Sequence, residues 1–516
     1  MYGLTRKVFR QIRPPGNGDI KGDRERIIDA LADEFGRPVF SNELLQKIYP
    51  LCRDANWEIT LTLINEFGKW RIIELGPGNQ CQRQLAFALD LGSTSLAMRL
   101  LDLNSGEILG EDSLLNKQIQ FGDDILTRIF HVKNRADQLK KIQAVTVETI
   151  NLLMTKLAAN NQIKPEDVTM TTIAGNTTMI HFLMGVDPWP IFEHPFAPVF
   201  NDTGYLTASE MGLKSRGLVY CLPSVANYLG GDTLSGLLVA GLHQKEELGL
   251  FIDIGTNGEM VLGNKDFLVA GAGAAGPALE GGISQTGMKA TAGAVDSVLI
   301  KNDHLRFTTI AGGKALGICG SGIVDLIAQM LLNGWIDFSG RFNANASDRI
   351  VKREGELGVC YARGSETGSG KDLLFTETDL KQFIDTKAAA GTMVSYLLER
   401  VGVEAADLDR IYVSGAFGTY INLESAITIG LYPDLPRERF VFLGNSSLEG
   451  ATRLIYDQRL MDELIDLQKR IEYLEFGAAI DFLSRMYAAR FLPHTNLNDY
   501  PSVKANLIKR GILAAR

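Results

Sequence analysis

The stretch Phe87–Arg99, FALDLGSTSLAMR, decides how this chain is read. Apolar and small residues lead into Asp90, the chain turns through Gly92, Ser93 and Thr94, and a second apolar run, residues 96–103, follows at once. That pattern predicts a hairpin with a carboxylate at the end of its first strand. Backbone N–H groups in such a turn can bind anionic oxygens, and glycine permits close approach to a phosphate. The device recurs at Leu250–Leu262, LFIDIGTNGEMVL. There Asp253, Gly255, Thr256, Asn257 and Gly258 take the places of Asp90, Gly92, Ser93, Thr94 and Ser95. One such loop is a weak signal. Two in one chain, each followed by a strand-like run, predict paired lobes facing a single phosphate chain.

Outward from the first turn, strands are expected at 86–91, 95–103 and 108–115, then a long helix over 136–159. A strand at 170–174 ends in Gly175-Asn176-Thr177-Thr178, with Thr177 or Thr178 as the expected cap of the next helix. The proline-rich residues 188–198 read as a surface loop or rim. A strand at 219–222 precedes a small-residue helix opened by Gly230, Gly231 and Asp232. Around the second turn the expected strands are 249–254, 258–263 and 267–270. Residues 270–282, AGAGAAGPALEGG, hold too much glycine for a helix interior and read as a loop-to-helix transition beside a ligand. Residues 290–380 look like an insertion whose part 340–372, polar and glycine-rich, is expected to be mobile. A helix over 380–400, a strand at 411–413, the turn SGAFGTY, a strand at 440–443 and a helix from 447 follow. The tail is expected to hold a strand near 471–476 and a helix over 478–491.

Before the first lobe, residues 1–20 read as a loose arm, 22–35 as a helix, Ser41 as the cap of another, and 57–74 as a hairpin turning at Gly68. The expected divisions are a small N-terminal α+β domain over 1–84 with its flexible arm, a first lobe over 85–247, and a second over 248–516 with the insertion and a C-terminal extension. Strands, helix, strand, helix occur twice, which predicts a duplicated α/β fold with a ligand between halves. A Rossmann domain fits poorly, because no G-x-G-x-x-G follows a first strand with an acidic residue about 20 positions on. The P-loop spacing is also missing, and Gly312-Gly313-Lys314 does not supply it.

Composition narrows the classes. The chain has 516 residues, 45% hydrophobic and 22% charged, enough for several domains with a large core. A formal charge of -9 argues against general nucleic-acid binding. No apolar run reaches the roughly 18 residues of a membrane helix, and the charged N-terminus lacks a signal-peptide core, so a cytoplasmic protein off the membrane is expected. Cys52, Cys81, Cys221, Cys319 and Cys360 form no C-x-x-C pair and read as scattered thiols. His181 and His194 have no metal-ligand spacing and read as packing or surface residues.

The motifs DLGST at 90–94, DIGTN at 253–257 and SGAFG at 414–418 resemble the actin, sugar kinase and Hsp70-type ATPase superfamily. More closely, the chain is similar to the reductive activators of corrinoid proteins. The matching pieces are FGDDILTRI at 121–129, IAGNTTM at 173–179, HPFAP at 194–198, IDIGTNGE at 252–259, AAGPALEGG at 274–282, SGAFG, and GN at 444–445. The resemblance implies two actin-like (RNase H-like) lobes that clamp ATP and Mg²⁺ through two phosphate loops, with a later glycine-rich turn beside the adenosine. It implies ATP hydrolysis driving an uphill electron onto cob(II)amide in a partner corrinoid protein or corrinoid-dependent methyltransferase. Many members carry an iron–sulfur cluster. This chain begins where the family's middle-type domain would begin and has no cysteine after Cys360, so no four-cysteine cluster is expected in it. A separate ferredoxin-like donor would then supply the electron, or the same ATPase serves another task. A small-molecule kinase and a non-catalytic scaffold of the same fold stay open, and a homodimer is the default assembly.

Asp90 and Asp253 are the leading candidates for holding Mg²⁺, directly or through water, ahead of the alternative that each merely fixes its own turn. Ser93, Thr94, Thr256 and Asn257 can donate to phosphate oxygens, while Gly92, Gly255 and Gly258 give the backbone room. Gly415, Ala416 and Gly418 would let base and ribose lie against the chain. Gly276, Glu280, Gly281 and Gly282 are candidates for ribose or phosphate contacts. Asn176, Thr177 and Gly231 stand at strand ends that could touch phosphate. Asp90, Asp232, Asp253 and Glu259 are the candidates for orienting the attacking water.

Overall fold

The computed structural model describes residues 3–255, 258–273, 282–476 and 481–514. The chain divides into two compact units, Met1–Val239 with Ser447–Lys469, and Ala240–Ser446 with Arg470–Arg516.

The first unit opens with β1 (Thr5–Gln11), α1 (Asp23–Phe35), α2 (Asn42–Asp54), β2 (Glu58–Glu66) and β3 (Lys69–Pro77). Ile27, Ile28, Leu31 and Phe35 bury the face of α1 that their spacing predicts. Ser41 caps α2 as expected, its hydroxyl accepting the Leu44 N–H at 3.3 Å. The expected loose arm is corrected: β1 pairs antiparallel with β2 along its whole length. Thr5 and Val8 are its buried residues, and the apolar residues buried in and beside it, Leu4, Val8 and Ile12, are four apart with basic residues between them. That spacing hides a strand from any search for period-two alternation.

The first large sheet comprises β4 (Leu85–Leu91), β5 (Ser95–Asp102), β6 (Glu107–Leu115), β7 (Val168–Gly175), β8 (Tyr205–Thr207) and β9 (Leu218–Cys221). Between them lie α3 (Ile125–Val132), α4 (Ala136–Asn160), α5 (Thr177–Met184) and the short α6 (Trp189–Phe192), and α7 (Gly231–Ala240) follows. The strand order is β6-β5-β4-β7-β9-β8. β4, β5 and β6 form an antiparallel meander, and β7 and β9 run parallel to β4. Leu85, Phe87, Leu89 and Leu91 enter one core with Ile150, Leu153 and Met154 of α4. Alternation therefore sends Ala86, Ala88 and Asp90 to the other face.

The second unit repeats the plan. It has β10 (Gly249–Ile254), β11 (Gly258–Gly263) and β12 (Leu268–Gly273), then the insertion β13 (Ala294–Lys301), β14 (His304–Thr309), β15 (Gly317–Ile318), α8 (Gly320–Leu332), β16 (Ile350–Arg353), β17 (Glu356–Ala362) and β18 (Leu373–Thr376). The main fold resumes with α9 (Glu377–Val401), β19 (Arg410–Ser414), α10 (Gly415–Tyr420), α11 (Leu423–Thr428) and β20 (Phe440–Gly444). Last come α12 (Ser446–Tyr456), α13 (Arg459–Arg470), β21 (Ile471–Leu474), α14 (Phe482–Ala488) and α15 (Pro501–Lys509). The second sheet has the order β20-β19-β10-β11-β12-β21. Counted from its first strand, each sheet reads 3-2-1-4-5 plus one edge strand, which is the duplication the two turns predict.

Three expectations change here. Residues 340–372 hold β16 and most of the β16-β17-β18 sheet, anchored by Val359, Tyr361 and Phe375 in the core. Abundant glycine and polar residues around these strands mask their alternation. SGAFGTY is not a plain turn: six of its residues form α10. The tail contains α13 and α15, which the sequence reading did not predict, and its helix α14 is shorter than expected.

Candidate functional site

Asp90 stands one residue before the end of β4, beside Ala97 of β5 and Ala174 of β7. Small neighbours leave its half-buried carboxylate room at the carboxyl end of a parallel strand pair, where α/β sheets place ligands. The turn after it is held from β6's end by Asn116. That side chain donates to the Gly92 carbonyl at 2.8 Å, and its backbone N–H donates to the Thr94 carbonyl at 2.9 Å. Ser93 and Thr94 are half-buried in this turn.

β7 ends level with Asp90, and the cap of α5 is Asn176 rather than Thr177 or Thr178. The Asn176 carbonyl oxygen of the side chain accepts the Thr178 N–H at 3.1 Å, and its amide donates to the Tyr228 carbonyl at 3.4 Å. Thr177 donates to the Ala226 carbonyl at 2.9 Å. Both candidates thus knit the strand end to the loop before α7. That loop lies directly on the turn: a Cβ at Gly230 would fall 2.6 Å from Asn176 Cα and 2.7 Å from Thr177 N. A Cβ at Gly231 would fall 2.9 Å from that of Leu222. Asp232 opens α7, its carboxylate accepting the Thr233 N–H at 2.8 Å. Asp90, Asn176, Thr177, Gly231 and Asp232 are therefore gathered at one end of the first sheet.

In the second unit Asp253 stands one residue before the end of β10. Glu259 of β11 is its antiparallel partner and Ser414 of β19 its parallel partner. Directly opposed antiparallel residues project from the same face, so two carboxylates emerge side by side, with Glu259 buried. Such a pair suits a cation with oxygen ligands. Ser414 donates to Asp253 Oδ2 at 3.2 Å, and Ser446 Oγ lies 2.6 Å from Ser414 Oγ. Burial and the Asp253 charge push the Tyr432 hydroxyl above its usual range. Gly258 is buried in β11, and Gly255 is half-buried after β10. Gly415 has φ 91°, a left-handed value that glycine tolerates, and a Cβ at Gly418 would meet Val413 of β19 at 2.6 Å. Ala416 lies in α10. Gly282 is in an exposed turn. Thr256, Asn257, Gly276, Glu280 and Gly281 lie outside the described residues, as does the side chain of Ala416.

Helix α12 supplies residues that the sequence reading missed. Ser447 donates to Asp90 Oδ1 at 2.8 Å, and Ser235 of α7 donates to the Ser447 carbonyl at 2.6 Å. Thr172 of β7 donates to the Ala451 carbonyl at 2.9 Å, which seats α12 on the small-residue face of the first sheet. The motif GN at 444–445 pointed to this neighbourhood but not to the serines behind it.

His181 is a core residue, as expected. Its Nδ1–H donates to the Thr177 carbonyl at 2.8 Å, Nε2 accepts the Val199 N–H at 3.2 Å, and the ring stacks on Phe200. Burial lowers its pKa, which keeps it neutral in this arrangement. His194 packs edge-on against Phe196. All five cysteines are free thiols, and burial pushes Cys52 up to about 11 and Cys221 up to about 12. Among the described residues no three His, Cys, Asp or Glu side chains are grouped to hold a metal ion, and no helix is long and apolar enough to cross a membrane.

Two sheets of one order, each with an aspartate ending its first strand, define the ASKHA fold of actin, sugar kinases and Hsp70. Family models match the chain along its length: the RACo linker region at 1–82, the RACo middle region at 85–245, and the C-terminal domain of RACo, the ASKHA domain, at 247–504. The chain therefore belongs to the RACo family of reductive activators of corrinoid proteins. It is 33% identical over 392 residues to the corrinoid activation enzyme RamQ of Eubacterium limosum, covering 74% of this chain and 66% of that one. This chain thus spans just under two thirds of RamQ's length. It is 24% identical over 420 residues to a [Co(II) methylated amine-specific corrinoid protein] reductase of Methanosarcina barkeri, covering 74% of this chain and 72% of that one. A solved structure of a reductive activator for corrinoid, iron–sulfur protein superposes with a TM-score of 0.89 at 35% identity, covering 97% of this chain and 81% of that one.

Proposed function

We propose that this protein is an ATP-hydrolysing activator that drives one-electron reduction of cob(II)amide to cob(I)amide on a partner corrinoid protein. The observation that carries the reading is the repeated placement of Asp90 and Asp253 at the carboxyl ends of equivalent strands, in a chain of the RACo family. The electron comes from a separate donor such as a ferredoxin, and ATP and water become ADP and phosphate.

The turns after β4 and β10 bind the phosphates, and Gly415, Ala416 and Gly418 bound the nucleoside. Asp90 and Asp253 hold Mg²⁺, directly or through water, and the Glu259 carboxylate beside Asp253 favours a cation there. When bound, Mg²⁺ neutralises charge on the terminal phosphates. One of Asp90, Asp232, Asp253 and Glu259 orients the attacking water. The parts doing this are a small N-terminal domain over 1–84 and lobes over 85–247 and 248–516.

Nucleotide-dependent partner affinity is the expected coupling, because a ligand shifts a conformational equilibrium only through differential binding. Product analysis tests the reading. Free phosphate released faster with a corrinoid protein supports it. A phosphorylated metabolite would make the protein a kinase instead, and equal partner affinity with ATP, ADP and no nucleotide would remove the coupling.

A further inference from the structure

We propose that Ser414, Ser446 and Ser447 are positioning residues that set the two loop carboxylates, Ser447 that of Asp90 in the first unit and the Ser446–Ser414 pair that of Asp253 in the second. The inference rests on the ATP and Mg²⁺ reading above and deepens it.

The second unit carries a relay. Ser414 Oγ has one proton, and the Asp253 carboxylate is acceptor-only, so that proton goes to Asp253 Oδ2 at 3.2 Å. The 2.6 Å contact between Ser414 and Ser446 then requires Ser446 to donate to Ser414. Both serines are withdrawn from solvent, Ser414 being 1% and Ser446 0% exposed. Two local features are shaped for this relay. Ser414 occupies the N-cap position of α10, where a serine normally bonds the helix's own N–H groups, yet its side chain makes no capping bond. The hydroxyl is turned to Asp253 instead. The register of β20 also slips beside it: Val413 faces Phe442, but Ser414 faces Gly444, so Leu443 is an extra residue. Such a bulge re-aims the residues after it.

The first unit carries the other half. Ser447 donates to Asp90 Oδ1 at 2.8 Å, and its own carbonyl is held by Ser235 at 2.6 Å. Ser446 and Ser447 are neighbours in the first turn of α12.

The test uses the full chain with Mg²⁺ and ATP, read by calorimetric ATP binding at several Mg²⁺ concentrations and by phosphate release. Wild type comes first: if it shows no Mg²⁺-dependent ATP binding, the functional reading falls and this inference with it. If wild type binds, S447A and S414A are expected to raise half-saturating Mg²⁺ about tenfold, the scale of losing a hydrogen bond to a charged group. S447T and S414T keep the hydroxyl and are expected to stay within about threefold of wild type. Should an alanine variant fail to fold, S447C and S414C keep the volume while donating weakly, and the same rise is expected. S446A leaves the Ser414–Asp253 bond and removes the donor behind it, so it is expected to raise half-saturating Mg²⁺ by no more than S414A does, and a larger rise overturns its place behind Ser414. Wild-type Mg²⁺ dependence in the folded alanine and cysteine variants, or equal damage by threonine and alanine, overturns the positioning role.

Discussion

Gly450→Ala is a demanding perturbation, because it adds one methyl group where α7 and α12 cross within the first unit. An ideal Cβ at residue 450 would sit 2.9 Å from the Ser235 carbonyl carbon and closer still to the Ser235 oxygens. Ordinary carbon–carbon contact is about 3.5–4.0 Å, so the helices must part locally by roughly 1 Å. Overpacking of this kind costs about 1–3 kcal/mol. The same displacement acts on two bonds at the start of α12, Ser235 to the Ser447 carbonyl at 2.6 Å and Ser447 to Asp90 at 2.8 Å. Stretching the second by about 1 Å takes it past hydrogen-bonding distance. Gly450→Ala should therefore lower the denaturant midpoint by the equivalent of about 1–3 kcal/mol and slow ATP hydrolysis about tenfold. Ser235→Ala in the same chain should not restore either property, because the obstacle includes the Ser235 backbone. Wild-type stability together with wild-type turnover in Gly450→Ala would refute this reasoning, and full rescue by Ser235→Ala would show that only the side chain is in the way.

Other consequences follow from single residues. Lys387 in α9 is 1% exposed and donates to the carbonyls of Ala489 at 2.9 Å, Phe491 at 2.7 Å and Pro493, while burial pushes its pKa from 10.5 down to about 7. Between those values the unfolded chain holds the extra proton, so stability should rise with pH from about 7 towards 10.5, and less steeply the more firmly the three carbonyls hold the ammonium. Lys387→Met should flatten that slope in denaturant titrations, and an unchanged slope would exclude the lysine as its source. His181 has a lowered pKa, so its contribution is present above about 6.5 and should fade as pH drops through its folded value. His181→Phe should remove that acid sensitivity from the melting curve, and a curve as acid-sensitive as wild type would contradict it. Glu259→Gln removes one of two opposed carboxylates and should weaken Mg²⁺ dependence of ATP binding about tenfold or more without lowering the melting temperature, since like charges directly opposed are destabilising. A lower melting temperature with unchanged Mg²⁺ dependence would give Glu259 a structural role.

The features readable from the sequence are those carried by short-range pattern. β4 alternates large and small apolar residues up to Asp90, β10 is a short apolar run up to Asp253, and the turns after them announce themselves by composition. The helices α1, α4 and α9 have apolar spacing long enough to see. What escaped depends on contacts far along the chain. β1 is a strand because β2 pairs with it, and the buried apolar residues in and beside it, Leu4, Val8 and Ile12, are spaced like a helix face. The strands of the 340–372 region are short, and their few buried residues are diluted by glycine. Ser447 meets Asp90 across 357 positions and Ser414 meets Asp253 across 161, so no local pattern could assign these hydroxyls. Asn176, a candidate for touching phosphate, also caps α5 and ties down the loop before α7, and the second of these contacts reaches 52 positions along the chain.

The most direct measurement combines the protein with Mg²⁺, ATP, a reduced ferredoxin or chemical reductant, and a corrinoid partner, and follows the visible cob(II)amide band alongside released phosphate. The account predicts that the band falls only when ATP is present and that phosphate accumulates with it. A band that falls equally without ATP, or one that stays put with every corrinoid partner while ATP is consumed, would contradict it.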